Sequence, residues 1–289
     1  MRYLSKIAAL VSVTSMISAC SPITVIDVLT PKTTYEAANN LSYGSDPRQK
    51  LNVFLPHSSD FTVPASGYPV VVFFYGGSWN FGNKEEYRFV GEALASRGVI
   101  TVIADYRLYP QVRYPDFLDD CALAVGWVKH HLADYHGNPL KLYVMGHSAG
   151  AYNAAMLALD ERWLKKQGLS PSIFKGWIGL AGPYNFLPIA NDDVKPVFFH
   201  PHYPKDTQPI DFVSASAPHS FLAVSRFDVL VDPERNTKKL AEKLNSLGVE
   251  VTLKEYSSTS HSTIVGAFAR PLRFIAPVLD DVVAFVERD

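Results

Sequence analysis

The sequence predicts an α/β fold in which a mostly parallel sheet is covered by helices on both faces. Continuous apolar runs at 70–74 and 99–104 are typical of strands buried on both faces. Stretches with helical periodicity separate such runs, and strands joined through helices lie parallel to one another. With about 270 residues beyond its apolar first segment, the chain is long enough for one large core.

The elements follow in order along the chain. Residues 51–55 and 250–256 alternate like half-buried strands, whereas the other strands are apolar runs. Strands are predicted at 51–55, 70–74, 99–104, 141–145, 176–181, 221–224 and 250–256. Helices are predicted from their periodicity and composition at 84–97, 116–135, 151–159 and 233–247, and in a last helix that ends in 282–286.

The first residues resemble a targeting segment. Arg2 and Lys6 give it a positive start, residues 7–17 are apolar, and small residues lead to Cys20. This apolar stretch is too short to cross a bilayer, which takes roughly 20 residues, so a cleaved signal over 1–19 is predicted. Its end resembles the lipobox of bacterial lipoproteins, which implies a lipid on Cys20 and a place in the bacterial cell envelope. The alternative is an ordinary secretory peptide whose cysteine is incidental.

The rest of the chain is predicted to divide into a tether over 20–42 and one domain over 43–289. Within that domain, 182–219 is an irregular stretch rich in proline, aromatic residues and histidine. Connections of that length are uncommon in a compact domain unless they form a lid or a binding loop. We therefore predict a small cap over the site, the alternative being a surface excursion without function.

A Gly-x-Ser-x-Gly pentapeptide at 146–150 directly follows the predicted strand 141–145. A serine on such a strand-to-helix turn takes a strained backbone conformation that lifts its hydroxyl out of the sheet. Because a hydroxyl is a poor nucleophile near neutral pH, Ser148 needs a base and a carboxylate to orient that base. In this architecture the chain order is serine, carboxylate, histidine.

Candidates for the base and the acid come after two later strands. His261 follows the strand 250–256 and precedes a helix, which places it at the carboxyl edge of the sheet, where ligands bind in open α/β folds. We predict it as the general base. The acid is expected after the strand 221–224, where Asp228 is preferred; Asp232 is the alternative, although it is also suited to cap the next helix.

Backbone donors are expected near the serine, because attack on a carbonyl creates an oxyanion that fixed donors must stabilise. The motif Tyr-Gly-Gly-Ser-Trp at 75–79 follows the strand 70–74. We predict an oxyanion hole formed by the amides of Gly77 and Ser78 with that of Ala149, directly after the nucleophile. The alternative is a glycine pair that only makes a turn.

These motifs in this order resemble the esterase/lipase branch of the α/β-hydrolase superfamily, which includes hormone-sensitive-lipase-like and feruloyl-esterase-like carboxylesterases. The resemblance covers nearly all of 45–288 and is carried by the segments 75–79, 105–110, 114–115, 119–120 and 146–150. It implies an eight-stranded hydrolase fold and an acyl-enzyme mechanism. It also implies the roles of nucleophile, acid and base for Ser148, Asp228 and His261.

The chain departs from that branch in the first motif. The usual His-Gly-Gly begins here with Tyr75, which is expected to brace the loop differently, and Ser78 takes the place of a third glycine. In the segments 105–110 and 119–120, hereafter the second motif, Asp105, Arg107 and Asp120 are interpreted as residues that brace the structure through ionic contacts.

The expected function is that of a serine carboxylesterase acting on short-chain or aryl esters. Trp79, Phe81, Tyr152 and Phe186 are predicted to line its substrate pocket, the alternative being ordinary core packing. Two other functions stay open. One is an amide hydrolase of the arylformamidase type, and the other is a non-catalytic envelope-binding lipoprotein on a hydrolase scaffold.

Charge and composition narrow the possible partners. Lys and Arg total 27 against 28 Asp and Glu, and the absence of a basic tract argues against nucleic acid. His200 and His202 with Asp206 make too small a cluster for a metal site, so no metal and no organic cofactor are predicted. The second cysteine, Cys121, is expected to be a buried thiol. The expected partners are a small-molecule ester and, through Cys20 alone, a membrane.

Overall fold

The computed structural model describes Ile26 and residues 29–288. The predicted signal segment 1–19 and the lipid attachment site Cys20 lie outside the described residues. Among those described, no helix combines the length and the apolar character that crossing a membrane requires.

Eight strands in the described part of the chain form one sheet in the order β1-β2-β4-β3-β5-β6-β7-β8. Their bounds are β1 Tyr35–Ser42, β2 Lys50–Pro56, β3 Tyr68–Phe74, β4 Ile100–Ala104, β5 Gly137–His147, β6 Gly176–Leu180, β7 His219–Ser225 and β8 Val251–Tyr256. The pairs β1–β2 and β2–β4 are antiparallel, and every pair from β4 to β8 is parallel. The predicted mostly parallel sheet is therefore confirmed.

Helices connect the parallel strands. In the described residues they are α1 Arg88–Ala95, α2 Asp116–His131, α3 Ala149–Leu159, α4 Glu161–Lys165, α5 Lys239–Ser246, α6 Thr263–Gly266 and α7 Val278–Glu287. Every residue of α3 is buried. This helix consists largely of alanine and other apolar residues, as expected for one enclosed on all sides. It thereby fixes the turn that precedes it, which carries Ser148.

The register of the parallel strands brings their carboxyl ends to one edge. Phe74 of β3 pairs with Gly146 of β5, and the next residue, His147, pairs with Leu180 of β6. At the other end of the sheet, Ser225 of β7 pairs with Tyr256 of β8. The segments that leave these strands therefore converge above a single edge of the sheet.

The predicted tether 20–42 is wrong in its last part, and the domain begins before residue 43. Tyr35–Ser42 is an edge strand that pairs antiparallel with β2. Most of its side chains are exposed, and its register shifts between Ala38 and Leu41. An exposed edge strand with such an irregularity has no continuous apolar signal.

Some helix bounds also differ from the predictions. The helix predicted at 116–135 ends as an α-helix at His131 and continues in a 3₁₀ turn at Ala133–Tyr135. The helix predicted at 233–247 starts as a π-helical turn, Glu234–Lys238, before α5. The short α4 was not predicted, because one and a half turns leave almost no periodicity to detect.

Candidate active site

The turn between β5 and α3 holds Ser148 in an unusual backbone conformation. Its φ and ψ are 55° and −122°, and its N–H donates to the carbonyl of Leu180 at 2.9 Å. This turn, hereafter the elbow, has no room for a side chain at Gly150, because a Cβ there would lie 2.0 Å from the carbonyl oxygen of Phe74. Only glycine allows that approach. The local sequence thus forces the serine side chain outward at the edge of the sheet.

Ser148, His261 and Asp228 form a hydrogen-bonded chain. His261 Nε2 lies 2.8 Å from Ser148 Oγ, and His261 Nδ1 lies 2.7 Å from Asp228 Oδ2. His261 stands between β8 and α6, and Asp228 follows β7. Three side chains that are far apart in sequence are therefore joined where the carboxyl ends of their strands meet.

The surroundings of Asp228 keep its carboxylate ionised. Burial by itself raises the pKa of this group, but the hydrogen bond and charge of His261 and the N–H groups of Leu230 and Val231 outweigh burial and leave the pKa below its ordinary value. Both N–H groups donate to Asp228 Oδ1, at 2.9 and 3.0 Å. Since an ionised carboxylate can only accept, His261 Nδ1 carries the proton and Nε2 is free to accept from the Ser148 hydroxyl.

Asp232, the alternative acid, has a different environment. Its Oδ1 accepts hydrogen bonds from the N–H groups of Glu234 and Arg235, at 2.9 and 3.1 Å. This is the geometry of a helix N-cap. The structure therefore pairs Asp228, and not Asp232, with His261.

His147 was not singled out from the sequence, although it occupies a variable position of the pentapeptide. Its Nε2 lies 2.8 Å from the backbone carbonyl of His261. A carbonyl oxygen only accepts, so His147 Nε2 must carry a proton and donate it. Burial, together with the charge of His261, lowers the pKa of His147 to about 3. A neutral imidazole thus ties the segment that carries His261 to the elbow that carries Ser148.

The loop after β3 takes a tight turn beside the elbow. Gly77 has a φ of 125°, and its carbonyl accepts from the N–H groups of Asn80 and Phe81 at 3.0 and 3.1 Å. Ser78 also has a positive φ, and it lines the same cavity as Ser148 and Ala149. Ala149 is the first residue of α3, so its N–H has no acceptor within the helix.

Tyr75 occupies the position where the resembling family has histidine. Its ring stacks between those of Tyr87 and Tyr106, with centroids 5.5 and 4.9 Å away. Its hydroxyl donates to Asp105 Oδ1 at 2.7 Å and accepts from Arg48 Nη2 at 2.9 Å. Burial raises the pKa of this hydroxyl well above its ordinary value. Tyr75 therefore anchors the base of the 75–79 loop as a neutral hydrogen-bonding group.

The second motif also forms ionic contacts. Arg107 pairs with Asp120 at 2.7 Å, and Lys84 Nζ lies 3.5 Å from Asp105 Oδ2. The Asp120 and Asp105 carboxylates are buried or nearly so. Both pairs therefore brace the segment that carries Asp105, which accepts from the Tyr75 hydroxyl.

A cavity of about 360 Å³ opens above Ser148. Its floor consists of Ser78, Trp79, Ser148, Ala149 and His261. Its walls come from the segment 182–219, hereafter the cap, and from the segment that follows β7. The wall residues are Pro183, Phe186, Pro188, Ile189, Ala190, Asn191 and Val194 on the cap side, and Val229, Leu230, Val231, Asp232, Arg235 and Asn236 on the other.

Two of the four predicted pocket residues do not line this cavity. Trp79 and Phe186 do line it, and their rings stack with centroids 6.2 Å apart. Tyr152 is fully buried behind Trp79, and its hydroxyl donates to the carbonyl of Thr207 at 2.8 Å. Phe81 lies outside the cavity and is 63% exposed, because the turn at Gly77 carries the chain away from the site.

The histidines of the cap do not assemble a metal site. His200 packs edge-on against Tyr203, with ring centroids 5.5 Å apart. Within the described part of the chain, no group of three or more His, Cys, Asp or Glu side chains is placed to hold a metal ion.

Comparison with known protein families shows which family the chain belongs to. Residues 51–244, more than half of the chain, match the BD-FAE family. The chain belongs to the BD-FAE family. The matched range runs from β2 to α5 and contains Ser148 and Asp228, but it ends before His261.

Two proteins with similar sequences are named for different reactions, one as an esterase and one as a formamidase. A probable isoprenylcysteine alpha-carbonyl methylesterase of Arabidopsis thaliana is 29% identical over 86% of this chain and 56% of its own length. The kynurenine formamidase of Danio rerio is 30% identical over 78% of this chain and 75% of its own length. The chain spans 56–63% of the length of the Arabidopsis methylesterases that it matches.

Solved structures share the architecture. A truncated carbohydrate esterase from gut microbiota aligns with a TM-score of 0.73 at 18% identity, over 89% of this chain and 97% of that one. An esterase from the archaeon Pyrobaculum calidifontis aligns with a TM-score of 0.70 at 20% identity, over 92% and 89%. The predicted α/β-hydrolase fold is confirmed by these similarities.

Proposed function

We propose that this BD-FAE family member is a serine carboxylesterase that hydrolyses short-chain or aryl esters through an acyl-enzyme intermediate. The observation that carries the proposal is the hydrogen-bonded chain from Asp228 through His261 to Ser148, at the floor of a cavity of about 360 Å³. A volume of that order holds a small molecule. The name of the Arabidopsis relative, a probable methylesterase, agrees with this chemistry.

In the proposed mechanism, His261 Nε2 takes the proton of the Ser148 hydroxyl while Ser148 Oγ attacks the ester carbonyl. The resulting oxyanion accepts hydrogen bonds from the amides of Gly77, Ser78 and Ala149. His261 then returns its proton to the leaving alcohol. In the second half, His261 deprotonates a water molecule that attacks the acyl carbonyl, and the acid leaves as Ser148 regains its proton.

The wall of the cavity supports a preference for compact apolar groups. Phe186, Ile189 and Val194 present aromatic and aliphatic surface on the wall, and Trp79 adds an aromatic ring on the floor. Burying such surface against an acyl or aryl group is favourable in proportion to its area. The rings of Tyr152 and Phe198 pack against Trp79 on the side away from the cavity, with centroids 5.1 and 5.0 Å from its own. The floor therefore leaves no space below it for a long acyl chain.

A panel of 4-nitrophenyl esters from acetate to decanoate, with phenyl and feruloyl esters added, tests this assignment. We expect the highest kcat/KM among short acyl chains or aryl esters. A fluorophosphonate probe should label the wild-type protein, whereas Ser148→Ala should lose both the label and turnover. Labelling and turnover that survive in Ser148→Ala would remove this serine from the mechanism.

Amide hydrolysis is the second candidate, and one observation favours it. The Danio rerio relative that is 30% identical carries the name kynurenine formamidase. The same three side chains would serve, with the histidine protonating a leaving amine instead of an alcohol. Parallel assays with phenyl acetate and formanilide on one preparation decide between the two, because an arylformamidase should turn over the anilide at least as fast as the ester.

We also propose that the protein is a lipoprotein of the bacterial cell envelope, anchored through Cys20. The support is the sequence alone: an apolar stretch that is too short to span a bilayer and ends in small residues and a cysteine. Metabolic labelling with an alkynyl fatty acid should mark the wild-type protein and not Cys20→Ala. Labelling that is equal in both would leave the cysteine incidental.

A further inference from the structure

The substrate cavity contains an arginine that the proposed mechanism does not use. Arg235 lies in the π-helical turn Glu234–Lys238 and lines the cavity that has Ser148 on its floor. Its side chain is half-buried. A guanidinium is always charged, so Arg235 places a permanent positive charge in this wall of the cavity.

Among the residues that the structure describes, Arg235 has no carboxylate partner, in contrast to two other half-buried arginines of this fold. Arg107 pairs with Asp120 at 2.7 Å, and Arg273 pairs with Glu92 at 2.8 Å. In the part of the chain that the structure describes, no carboxylate lies within ion-pairing distance of the Arg235 guanidinium. Asp232 lies on the same wall, but its Oδ1 accepts from the backbone N–H groups of Glu234 and Arg235 and caps the turn.

The guanidinium has donors left for a ligand. Its Nη2 donates to the carbonyl of Leu187, which links it to the cap. A guanidinium has five N–H donors in a planar fork, so most remain available. Leu230, Val231 and Ile189 line the same cavity. Apolar surface around a charge makes an unpaired charge costly and a paired one favourable.

We propose that Arg235 binds a carboxylate on the substrate, so that the preferred esters carry a negative charge on the acyl or the alcohol part. This inference rests on the proposed esterase function and specifies its substrate class. The carboxylate matches the planar fork with two parallel hydrogen bonds, and Ser148 attacks the ester carbonyl held between that anchor and the floor of the cavity.

Matched substrate pairs test the proposal. One pair places the charge on the acyl side, as mono-4-nitrophenyl glutarate against its methyl ester. The other places it on the alcohol side, as 4-acetoxybenzoate against methyl 4-acetoxybenzoate. In at least one pair, we expect the wild-type protein to favour the anion, and Arg235→Gln to lower kcat/KM for the anion about 10- to 100-fold. Turnover of the neutral ester should change less than about threefold.

A second arginine provides the control. Arg226 follows β7, its side chain is 63% exposed, and it lies 3.6 Å from Glu255, away from the cavity lining. Arg226→Gln removes the same charge from the same region and should leave both ratios unchanged. Arg235→Lys keeps the charge but loses the fork, and we expect it to retain part of the preference.

Several results would overturn the proposal. Equal losses for the charged and neutral esters in Arg235→Gln would mean that the arginine serves only to hold the cap at Leu187. A preference that is unchanged in both pairs, or an equal change in Arg226→Gln, would also reject it. If Arg235→Gln does not fold, Arg235→Lys decides: a reduced preference for the anion without a loss of neutral turnover supports the carboxylate site, and an unchanged preference rejects it.

Calorimetry on Ser148→Ala separates this proposal from the esterase function. The full-length variant is titrated with 4-acetoxybenzoate and with its methyl ester, alone and combined with Arg235→Gln. Tighter binding of the anion that disappears with Arg235 supports the carboxylate site even if the wild-type protein hydrolyses neither ester. Equal affinity for both compounds, in a protein that does hydrolyse esters, rejects the site and leaves the esterase function in place.

Discussion

The floor and the wall of the cavity are held in place by different kinds of contact. The floor residues Ser148 and His261 follow strands, and the backbone register of the sheet brings them together, with one additional side-chain hydrogen bond from His147. The wall is instead held by side chains that form hydrogen bonds with segments distant in sequence. Asn236 Oδ1 accepts from the N–H groups of Tyr184 and Asn185, both at 2.8 Å, and so fixes the start of the cap.

Because of this difference, the residues that carry out the chemistry and those that select the substrate are held in place independently. Backbone pairing changes little when a side chain is replaced, so the floor can stay constant while the wall varies. A wall held by a few side chains can change its shape and charge without disturbing the sheet. We therefore expect substitutions in the floor to affect turnover of every ester, and substitutions in the wall to affect which ester is preferred.

The largest expected effect concerns two aspartates: Asp228, which pairs with the floor residue His261, and Asp232, which lies in the wall. Asp228→Asn should lower kcat about 10⁴-fold, because an amide no longer holds His261 in the tautomer that accepts from Ser148. Asp232→Asn should keep near-normal kcat, since asparagine also caps a helix well. Steady-state kinetics of the two variants with one short ester measure the contrast. Comparable losses in both would undo the assignment of Asp228 as the acid.

The next effect is on the wall. Asn236→Ala would leave two N–H groups at the start of the cap without an acceptor, one buried and one half-buried, which should cost about 2–3 kcal/mol of stability. KM should rise for all short esters as the cap loosens, while kcat stays closer to normal. Urea unfolding and steady-state kinetics measure both effects, with the exposed Asn245→Ala as the control. A fall in kcat with unchanged KM would show that the cap also positions the floor.

Much of the fold could be predicted from the sequence, because the buried strands are continuous apolar runs. The edge strand β1 could not, since its exposed side chains carry no such signal. In the site, chain order and the elbow pointed to Ser148, Asp228 and His261. The cavity wall was harder to predict, because the contacts of Asn236 with Tyr184 and Asn185 span about fifty residues of chain.

The positions of aromatic side chains were equally difficult. Tyr152 and Phe81 are close in sequence to floor residues, but one is buried behind Trp79 and the other points away from the cavity. Composition near a motif does not reveal which side of a loop faces the substrate. His147 was missed for a related reason, since its hydrogen bond to the carbonyl of His261 exists only once the sheet has assembled.

The smallest expected effect tests how tightly His147 belongs to the floor. In the folded protein, burial and the charge of His261 lower the pKa of His147 to about 3, whereas an unfolded histidine has a pKa of about 6.5. Between these values only the unfolded chain binds the proton, so stability falls as pH drops below about 6.5. At pH 5 this linkage amounts to about 1–2 kcal/mol.

His147→Gln retains a donor for the carbonyl of His261 but has no titrating group. The wild-type protein should therefore lose about 1–2 kcal/mol more than the variant between pH 7 and pH 5. Urea unfolding of both proteins at the two pH values measures that difference. The variant should also keep most of its turnover at pH 7, because its amide can still tie the His261 segment to the elbow. A pH dependence of stability that is equal in both proteins would mean that His147 accepts a proton in the fold, and that the floor is less rigid than its backbone contacts imply.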